Sequence, residues 1–472
     1  MKMLKKIAFV FFLSLAALGM SGASCTGGGG QGYDPKLFEP VTLRYWRVFD
    51  GPDTLAPIIE EYSKLHPNVS IQYKKLRYEE YENELLQAFS EDRGPDIVSL
   101  HSTWMDKYLS KLAPMPPAMR VGFTVEEGAV KKKMVQKVVA FPGYAPNQIR
   151  EQFADAVGQD VIRPTEGVEA VYGLPFALDT LSLFYNKDFF DNAGIADPPR
   201  TWSDFQNAIK LIARRDSEDD TRLSQSAAAI GTADNIQRSF DILSTIMMQN
   251  GAQMSYQSRV LFDQTPYELG QRTITPAADS LRFYTDFAYP GKDEIYTWNA
   301  DMPDNVEAFA LGRTAMMFGY AYQAATVKKQ TPRLRFGIMP MPQLDPSRPV
   351  TSANYWIEAV TKKAASQDYA WDFLRFATGK EQVKNYLAAT GKPTALRSLL
   401  PEQQSQEAVA PFASQVLYAK SWYHGKNPGA AEAAFREMMI KGLEARGGAG
   451  KEQTARLEGI VARAKQLVQA SY

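Results

Sequence analysis

The chain has 472 residues, of which 45% are apolar, 12% aromatic and 22% charged. This balance is typical of globular proteins and excludes a disordered or collagen-like chain. Basic and acidic side chains number 53 each, so the net charge is zero and no basic excess indicates nucleic-acid binding. The length predicts two or three domains at roughly 100–200 residues each. One cysteine and three scattered histidines predict no internal disulfide, no metal site and no cofactor.

The first 24 residues have the order of a secretory signal. Lys2, Lys5 and Lys6 precede an apolar run at 7–20, and small residues follow it. The run is shorter than the roughly 20 residues that a membrane-spanning helix needs. We therefore expect residues 1–24 to be a signal peptide and the body to be exported.

Cys25 is the only cysteine and follows this signal directly. The segment resembles a bacterial lipoprotein signal, which implies that Cys25 is lipidated and becomes the N-terminal residue. The alternative is cleavage after Ala23, which would leave Cys25 as an unmodified thiol. We expect the lipid anchor, with residues 25–39 as a Gly-rich tether to the outer face of the cell membrane, periplasmic or extracellular.

The body opens with alternating strands and helices. Strands are predicted at 41–48, 69–73 and 96–100, and helices at 53–66 and 81–89. This alternation predicts βαβ units and a mostly parallel sheet, which binds ligands beyond the carboxyl ends of its strands. Those ends carry residues 47–50 and 101–104.

The next region, 113–167, contains several prolines and a lysine run, and it predicts loops and short helices. A second α/β region follows. Its predicted strands are 172–186, 314–318, 333–339 and 355–360; its predicted helices include 201–212, 305–311 and 367–377. Residues 402–472 predict helices with an interruption near 425–428.

Several motifs carry a resemblance to a known family. They are LPFALDTLSLFYNKDFF at 174–190, AGIADPPRTWSDF at 193–205, GPDI at 94–97, EAFALGRTAM at 307–316 and GKPT at 391–394. These motifs resemble the extracellular solute-binding proteins of family 1, the sugar-binding lipoproteins and periplasmic proteins of ABC importers. The residue types in these motifs indicate a structural role rather than ligand contact. We expect a strand end and a helix cap at 185–188, a turn with a capping box at 198–202 and a tight turn at Gly312.

The resemblance implies an α/β fold of the two-lobe periplasmic-binding-protein type. Its three-crossing hinge would pass near Leu178, Asn354 and Glu407, with the ligand cleft between the lobes. The first lobe is then 40–178 and 354–407, and the second is 179–353 and 408–472. The lobes are expected to close over the ligand.

A sugar site needs aromatic platforms and planar polar side chains. The candidate ligand contacts are Trp46, Asp50, Ser102, Thr103, Trp104, Asp179, Asn235, Trp298, Tyr320, Tyr322, Tyr355, Trp356, Arg397 and Trp422. The resemblance implies contacts at 102–104, an acidic residue at the first crossing, a helix-start contact at Asn235 and an aromatic platform at 320–322. Packing remains the alternative for Trp46 and Trp422, a hinge hydrogen bond for Asp179, and a surface salt bridge for Arg397. Only one of the adjacent Tyr355 and Trp356 can face the cleft.

The leading hypothesis is therefore a monomeric solute-binding lipoprotein without catalysis. It would capture a small solute, a mono- or oligosaccharide, and deliver it to the permease subunits of an ABC transporter. One alternative is a secreted polysaccharide-acting enzyme, which would need two carboxylates flanking a cleft. Another is a surface receptor for peptides or polyamines on the same fold.

Overall fold

The computed structural model describes residues 34–127, 133–216, 222–447 and 450–472. The expected signal peptide, the lipidation residue Cys25 and most of the expected tether lie outside the described residues. Residues 34–39 of the tether are described and include one 3-10 turn at Pro35–Phe38.

The described strands, in chain order, are β1 Val41–Val48, β2 Val69–Leu76, β3 Ile97–His101, β4 Ala118–Glu127, β5 Lys133–Pro142, β6 Ile162–Thr165, β7 Val168–Val171, β8 Asp179–Thr180, β9 Ser182–Asn186, β10 Arg214–Arg215, β11 Leu223–Ala229, β12 Ser255–Tyr256, β13 Arg259–Val260, β14 Thr314–Gly319, β15 Phe336–Pro340, β16 Thr351–Asn354, β17 Trp356–Val360 and β18 Ala419–Lys420.

The described α-helices are α1 Pro52–Leu65, α2 Tyr78–Ser90, α3 Met105–Tyr108, α4 Pro146–Gln152, α5 Asp155–Val161, α6 Lys187–Ala193, α7 Trp202–Ile212, α8 Ser239–Gln249, α9 Pro276–Asp286, α10 Asn305–Ala310, α11 Ala321–Gln330, α12 Gln367–Ala377, α13 Lys380–Thr390, α14 Leu400–Gln404, α15 Ala410–Ala413, α16 Pro428–Glu444 and α17 Gly450–Gln469.

Two sheets organise the body. The first has the order β17-β3-β1-β2, in which β1 pairs in parallel with β2 and β3, and β17 is an antiparallel edge. This arrangement confirms the predicted βαβ units. The second sheet has the order β10-β11-β14-β9-β15, and β9 runs antiparallel to both of its neighbours.

Each sheet lies in its own hydrophobic core. The first core draws its buried residues from 43–178 and 353–419. The second draws them from 181–341 and 412–468. We call the parts of the chain built on these two cores the first lobe and the second lobe.

A small three-stranded sheet lies where the chain passes between the cores. Its order is β18-β16-β8; β16 pairs in parallel with β18 and antiparallel with β8. Three separate chain segments therefore run side by side at one place between the lobes.

Local signals in the sequence correctly predict several helix ends. Thr201 and Asp204 form the expected capping box of α7, and Asn186 caps α6 by accepting from the Asp188 backbone N–H. Gly312 has φ +65° between α10 and β14, the left-handed conformation that glycine adopts without strain.

The prediction of loops and short helices over 113–167 is wrong in part. Strands β4 and β5 form a long antiparallel hairpin there, and β6 and β7 form a second one. In β4, Met119 and Val121 are buried while Arg120 between them is exposed, which is the period of a strand packed on one face. The prolines and lysines that suggested loops flank this short alternation and conceal it.

The predicted strand 172–186 is also interrupted. Only β8 and β9 form within it, and residues 174 and 177 make isolated bridges. Pro175 lies between those bridges and has no N–H to donate to a ladder.

Candidate functional site

Three aromatic side chains of the first lobe form one surface, which we call the aromatic wall. Phe49 follows β1, Tyr78 begins α2 and Trp356 begins β17. The Phe49 and Tyr78 rings stack 5.6 Å apart, and Trp356 meets both rings edge-on at 5.7 and 6.3 Å. Phe49 is 56% exposed and Tyr78 is 47% exposed, so their faces are available to a ligand.

Buried groups hold this wall from behind. Trp104 contacts Trp356 at 5.7 Å and stacks on Tyr81 at 6.3 Å. Trp104 and its neighbours Ser102 and Thr103 are buried in a short turn after β3. The Ser102 hydroxyl has no hydrogen-bond partner among the described residues. The predicted contacts at 102–104 therefore lie behind the exposed aromatic surface.

His101, the last residue of β3, is a neutral ring that contacts this turn. Burial, followed by the charge of Arg238, lowers the pKa of His101 to about 4. The ring lies 2.8 Å from the Thr103 hydroxyl at Nδ1 and 2.8 Å from Asn354 Oδ1 at Nε2. Because Oδ1 can only accept, the neutral ring donates from Nε2 and accepts at Nδ1.

The second lobe presents a polar wall made of Arg238, Tyr320 and Tyr322, with Asp241 buried behind them. The Asp241 carboxylate accepts from Arg238 Nε at 2.7 Å and from the Tyr320 hydroxyl at 2.6 Å. It also accepts from Trp422 Nε1 at 3.1 Å. Asp241 is 1% exposed, so one buried carboxylate orients donors from three segments of the chain.

Tyr322 completes the polar wall. Its ring stacks on that of Tyr320 at 6.2 Å, and its side chain is 46% exposed. Tyr320 itself is fully buried, so of the two rings Tyr322 is the one that is accessible to a ligand.

The two walls lie within electrostatic reach of one another. The charge of Arg238, in the second lobe, acts on the pKa of both His101 and Tyr78 in the first lobe. Phe49 and Arg238 also adopt left-handed backbone conformations, with φ 64° and 60°. Such conformations are uncommon for bulky residues and cluster at functional sites. Phe49 belongs to the aromatic wall and Arg238 to the polar wall, so each wall contains one such residue.

Asp179 lies at the edge of the cleft, in β8. Its carboxylate accepts from the backbone N–H groups of Thr180 and Ala321, both at 2.9 Å. Burial raises the pKa of Asp179 to about 7, against these donors and the charge of Lys392. The carboxylate thus joins the small sheet to the first turn of α11, which carries Tyr322.

The carboxylate of Asp50 is fully engaged in ion pairs and a hydrogen bond within the first lobe. It lies 3.0 Å from Arg47 Nη2 and 2.8 Å from Lys392 Nζ, and it accepts from the Tyr386 hydroxyl. Burial acts to raise the pKa of Asp50, but the charges of Arg47 and Lys392 hold it below the usual value. A carboxylate with three such partners is poorly placed to bind a ligand as well.

Asp160 connects the first lobe to the segment after β18. It accepts from the Tyr355 hydroxyl at 2.6 Å and from Ser421 Oγ at 2.5 Å, and it lies 2.8 Å from His424 Nε2. The serine donates to the aspartate, whereas a hydrolase triad requires a serine bonded to histidine. Tyr355 is buried in this contact, whereas the adjacent Trp356 contacts the Phe49 and Tyr78 rings.

Four other predicted contacts lie away from the cleft walls. Trp46 packs beneath Lys74, whose Nζ is 4.6 Å from the ring centre. Trp298 is fully buried in the second core and donates to Asn235 Oδ1 at 3.2 Å. Asn235 lies before α8 rather than at a helix start, and its amide donates to the backbone oxygens of Asn299 and Met302. Arg397 forms the surface ion pair that was its alternative, 2.5 Å from Asp155.

Trp422 is buried as well, at 4% exposure, and acts through Asp241. Phe49, Tyr78, Arg238 and Asp241 are not among the ligand contacts that the sequence predicts. Phe49 lies within 47–50, the strand end at which the sequence predicts ligand binding. The other three carry no local signal, because their arrangement depends on pairing between distant segments.

The described residues hold no group of three or more potential metal ligands. Nor does any helix among them have the length and apolar character required to cross a bilayer.

The sequence profile of the bacterial extracellular solute-binding protein family matches residues 50–384. Because the match covers more than half of the chain, the protein belongs to this family. Family members and the neighbours described next are binding proteins rather than enzymes.

The diacetylchitobiose binding protein DasA of Streptomyces coelicolor is 21% identical over 420 residues, which cover 84% of this chain and 86% of the relative. The maltotriose-binding protein of Pyrococcus abyssi is 21% identical over 403 residues, covering 81% and 73%. A crystal structure of a cyclo/maltodextrin-binding protein complexed with maltotetraose superposes with a TM-score of 0.67 at 15% identity, over 91% of this chain and 97% of that one. The comparisons confirm the family and the two-lobe fold that the sequence motifs predict.

Proposed function

We propose that this protein captures an uncharged oligosaccharide between the aromatic wall and the polar wall and delivers it to an ABC transporter permease. The observation that carries the proposal is the pairing of exposed ring faces in one lobe with oriented donors in the other. Sugars present flat C–H faces and hydroxyl groups, which these two surfaces match. Two relatives named for binding diacetylchitobiose and maltotriose support the same ligand class.

The ligand class is tested by isothermal titration calorimetry on the mature protein. The panel contains maltotriose, maltotetraose and diacetylchitobiose, with a tripeptide and spermidine as non-sugar probes. We expect at least one oligosaccharide to bind and the other two classes to give no heat. Binding of the peptide or the polyamine alone would overturn the sugar assignment.

The hinge in this proposal consists of β8, β16 and β18. The lobes are then 40–178 with 354–419, and 179–353 with 420–472. We extend the first lobe beyond residue 407 because Ala413, Val416 and Ala419 belong to the first core. Ligand binding between the walls would close the lobes. Small-angle scattering should show a smaller radius of gyration with saturating oligosaccharide, and an unchanged radius would contradict closure.

Export follows from membership of an extracellular family, and the lipid anchor is the finer proposal. Cys25 would carry the lipid, since it directly follows an apolar run and precedes a glycine-rich segment. Cys25→Ala should move the protein from the membrane to the soluble fraction when it is expressed with its own leader. A membrane-bound variant, or an intact mass without acyl groups, would show that Cys25 is not the anchor.

A further inference from the structure

Arg238 holds an oriented guanidinium at an uncommon backbone conformation. It precedes α8 with φ 60° and ψ 31°, and its Nε donates to the buried Asp241. A residue with a Cβ adopts the left-handed region only where its surroundings impose it, and such positions cluster at ligand sites. The guanidinium also lies 4.7 Å from the Phe240 ring centre, which fixes its plane further.

The other edge of this guanidinium is free. The side chain is 21% exposed, and Nη1 and Nη2 make no hydrogen bond with any residue of the described ranges. A guanidinium presents its N–H groups as a fixed fork, which suits two neighbouring oxygen atoms of a ligand.

Glu432, in the first turns of α16, is a second carboxylate whose charge acts on Arg238, after that of Asp241. Trp422 links the two helices, because its ring lies 4.6 Å from that of Phe435 on α16 and 6.0 Å from that of Phe240 on α8. Burial raises the pKa of Glu432 and the charge of Arg238 lowers it, so the two groups sense each other. Within the described residues Arg238 is ion-paired with Asp241 and not with Glu432, and the influences on the Glu432 carboxylate are burial and nearby charges rather than hydrogen bonds.

We infer that Arg238 and Glu432 together determine specificity by admitting a ligand group that both accepts and donates hydrogen bonds, which a sugar hydroxyl pair does. The fork donates to the hydroxyl oxygens, and the carboxylate accepts from the hydroxyl hydrogens. A uronate carboxylate could accept from the fork, but it has no hydrogen to donate to Glu432 and its charge is repelled by that carboxylate. A protonated amino sugar can only donate at its ammonium, so it would leave the fork unsatisfied. This inference rests on the proposed oligosaccharide site.

Calorimetry on wild type, Arg238→Lys and Glu432→Gln tests the pair. The probes are the neutral oligosaccharides of the panel above, a digalacturonate and chitobiose with free amines. Arg456→Gln and Glu437→Gln are the matched controls, because Arg456 pairs with Glu452 on α17 and Glu437 lies one turn beyond Glu432 on α16. Thermal unfolding of every variant verifies folding.

Wild type should bind a neutral oligosaccharide and reject both charged probes. Arg238→Lys should weaken neutral binding about tenfold or more, since lysine keeps the charge and loses the fork. Glu432→Gln should weaken binding of the neutral oligosaccharide similarly. It should also bring the affinity for digalacturonate closer to the affinity for the neutral oligosaccharide. Unchanged affinity in both variants, or equal wild-type affinity for the charged probes, would overturn the inference while leaving the sugar site intact. A wild type that binds no saccharide of any charge would overturn the proposed function itself.

Discussion

The two walls of the cleft are built on different principles. The aromatic wall is a set of rings that support one another, so each ring contributes through contact area and ring geometry. The polar wall depends on one buried carboxylate, Asp241, which fixes donors that are 3, 79 and 181 residues away along the chain. A defect in the first wall should therefore stay local, whereas removal of Asp241 should disorder the whole second wall.

The largest expected effect is that of Asp241→Ala. It leaves a guanidinium, a hydroxyl and an indole N–H without their shared acceptor, and should lower the free energy of unfolding by about 5 kcal/mol. Urea denaturation measures the loss. Asp188→Ala is the control, because its exposed pairing with Arg335 should contribute less than about 1 kcal/mol. Equal losses in both variants would refute the special role of Asp241.

The pH dependence of stability tests the role of Asp179, which joins the polar wall to the small three-stranded sheet. The raised pKa of Asp179 means that the folded state binds this proton more tightly than the unfolded state. The stability from this group is therefore complete below about pH 4 and is lost as the pH rises through about 7, with a slope of at most roughly 1.4 kcal/mol per pH unit. Asp179→Asn should flatten that decline. Parallel profiles of wild type and variant from pH 4 to 7 would contradict it.

Three aromatic variants separate the ligand-facing rings from the ring behind them. Trp356→Ala and Tyr322→Ala should each weaken oligosaccharide binding at least about tenfold. Trp104→Ala should act mainly on stability, by about 3 kcal/mol, because Trp104 is only 8% exposed. Calorimetry at low and high salt, with urea denaturation, provides both quantities. Strong salt dependence with unaffected Trp356 and Tyr322 variants would indicate a charged ligand instead.

The smallest effect is expected at Arg397, outside both walls. Its ion pair with Asp155 is partly exposed, so Arg397→Ala should change stability by less than about 1 kcal/mol and leave ligand affinity unchanged. Calorimetry and urea denaturation measure both. A tenfold loss of affinity would return Arg397 to the ligand site and extend the cleft toward that edge of the first lobe.

The sequence predicts the aromatic wall better than the polar wall. Strand ends of a parallel sheet are readable from periodicity, and that rule indicates the segments that carry Phe49 in the wall and Trp104 behind it. The expectation of a platform at Tyr322 rests on the family resemblance alone. Trp298 lies in the second core and Trp46 lies under Lys74, and residue type alone does not reveal such placements, because it does not show which face of an element a side chain occupies.

The sequence by itself determined the elements whose causes are local. The strand β1, the helix α12, the caps at Asn186 and Thr201 and the turn at Gly312 all follow from neighbours within a few residues. Only the tertiary structure decided the left-handed backbone of Phe49 and Arg238 and the convergence on Asp241. Those features are fixed by contacts between distant segments, and their stabilisation comes from burial and pairing that no local pattern records.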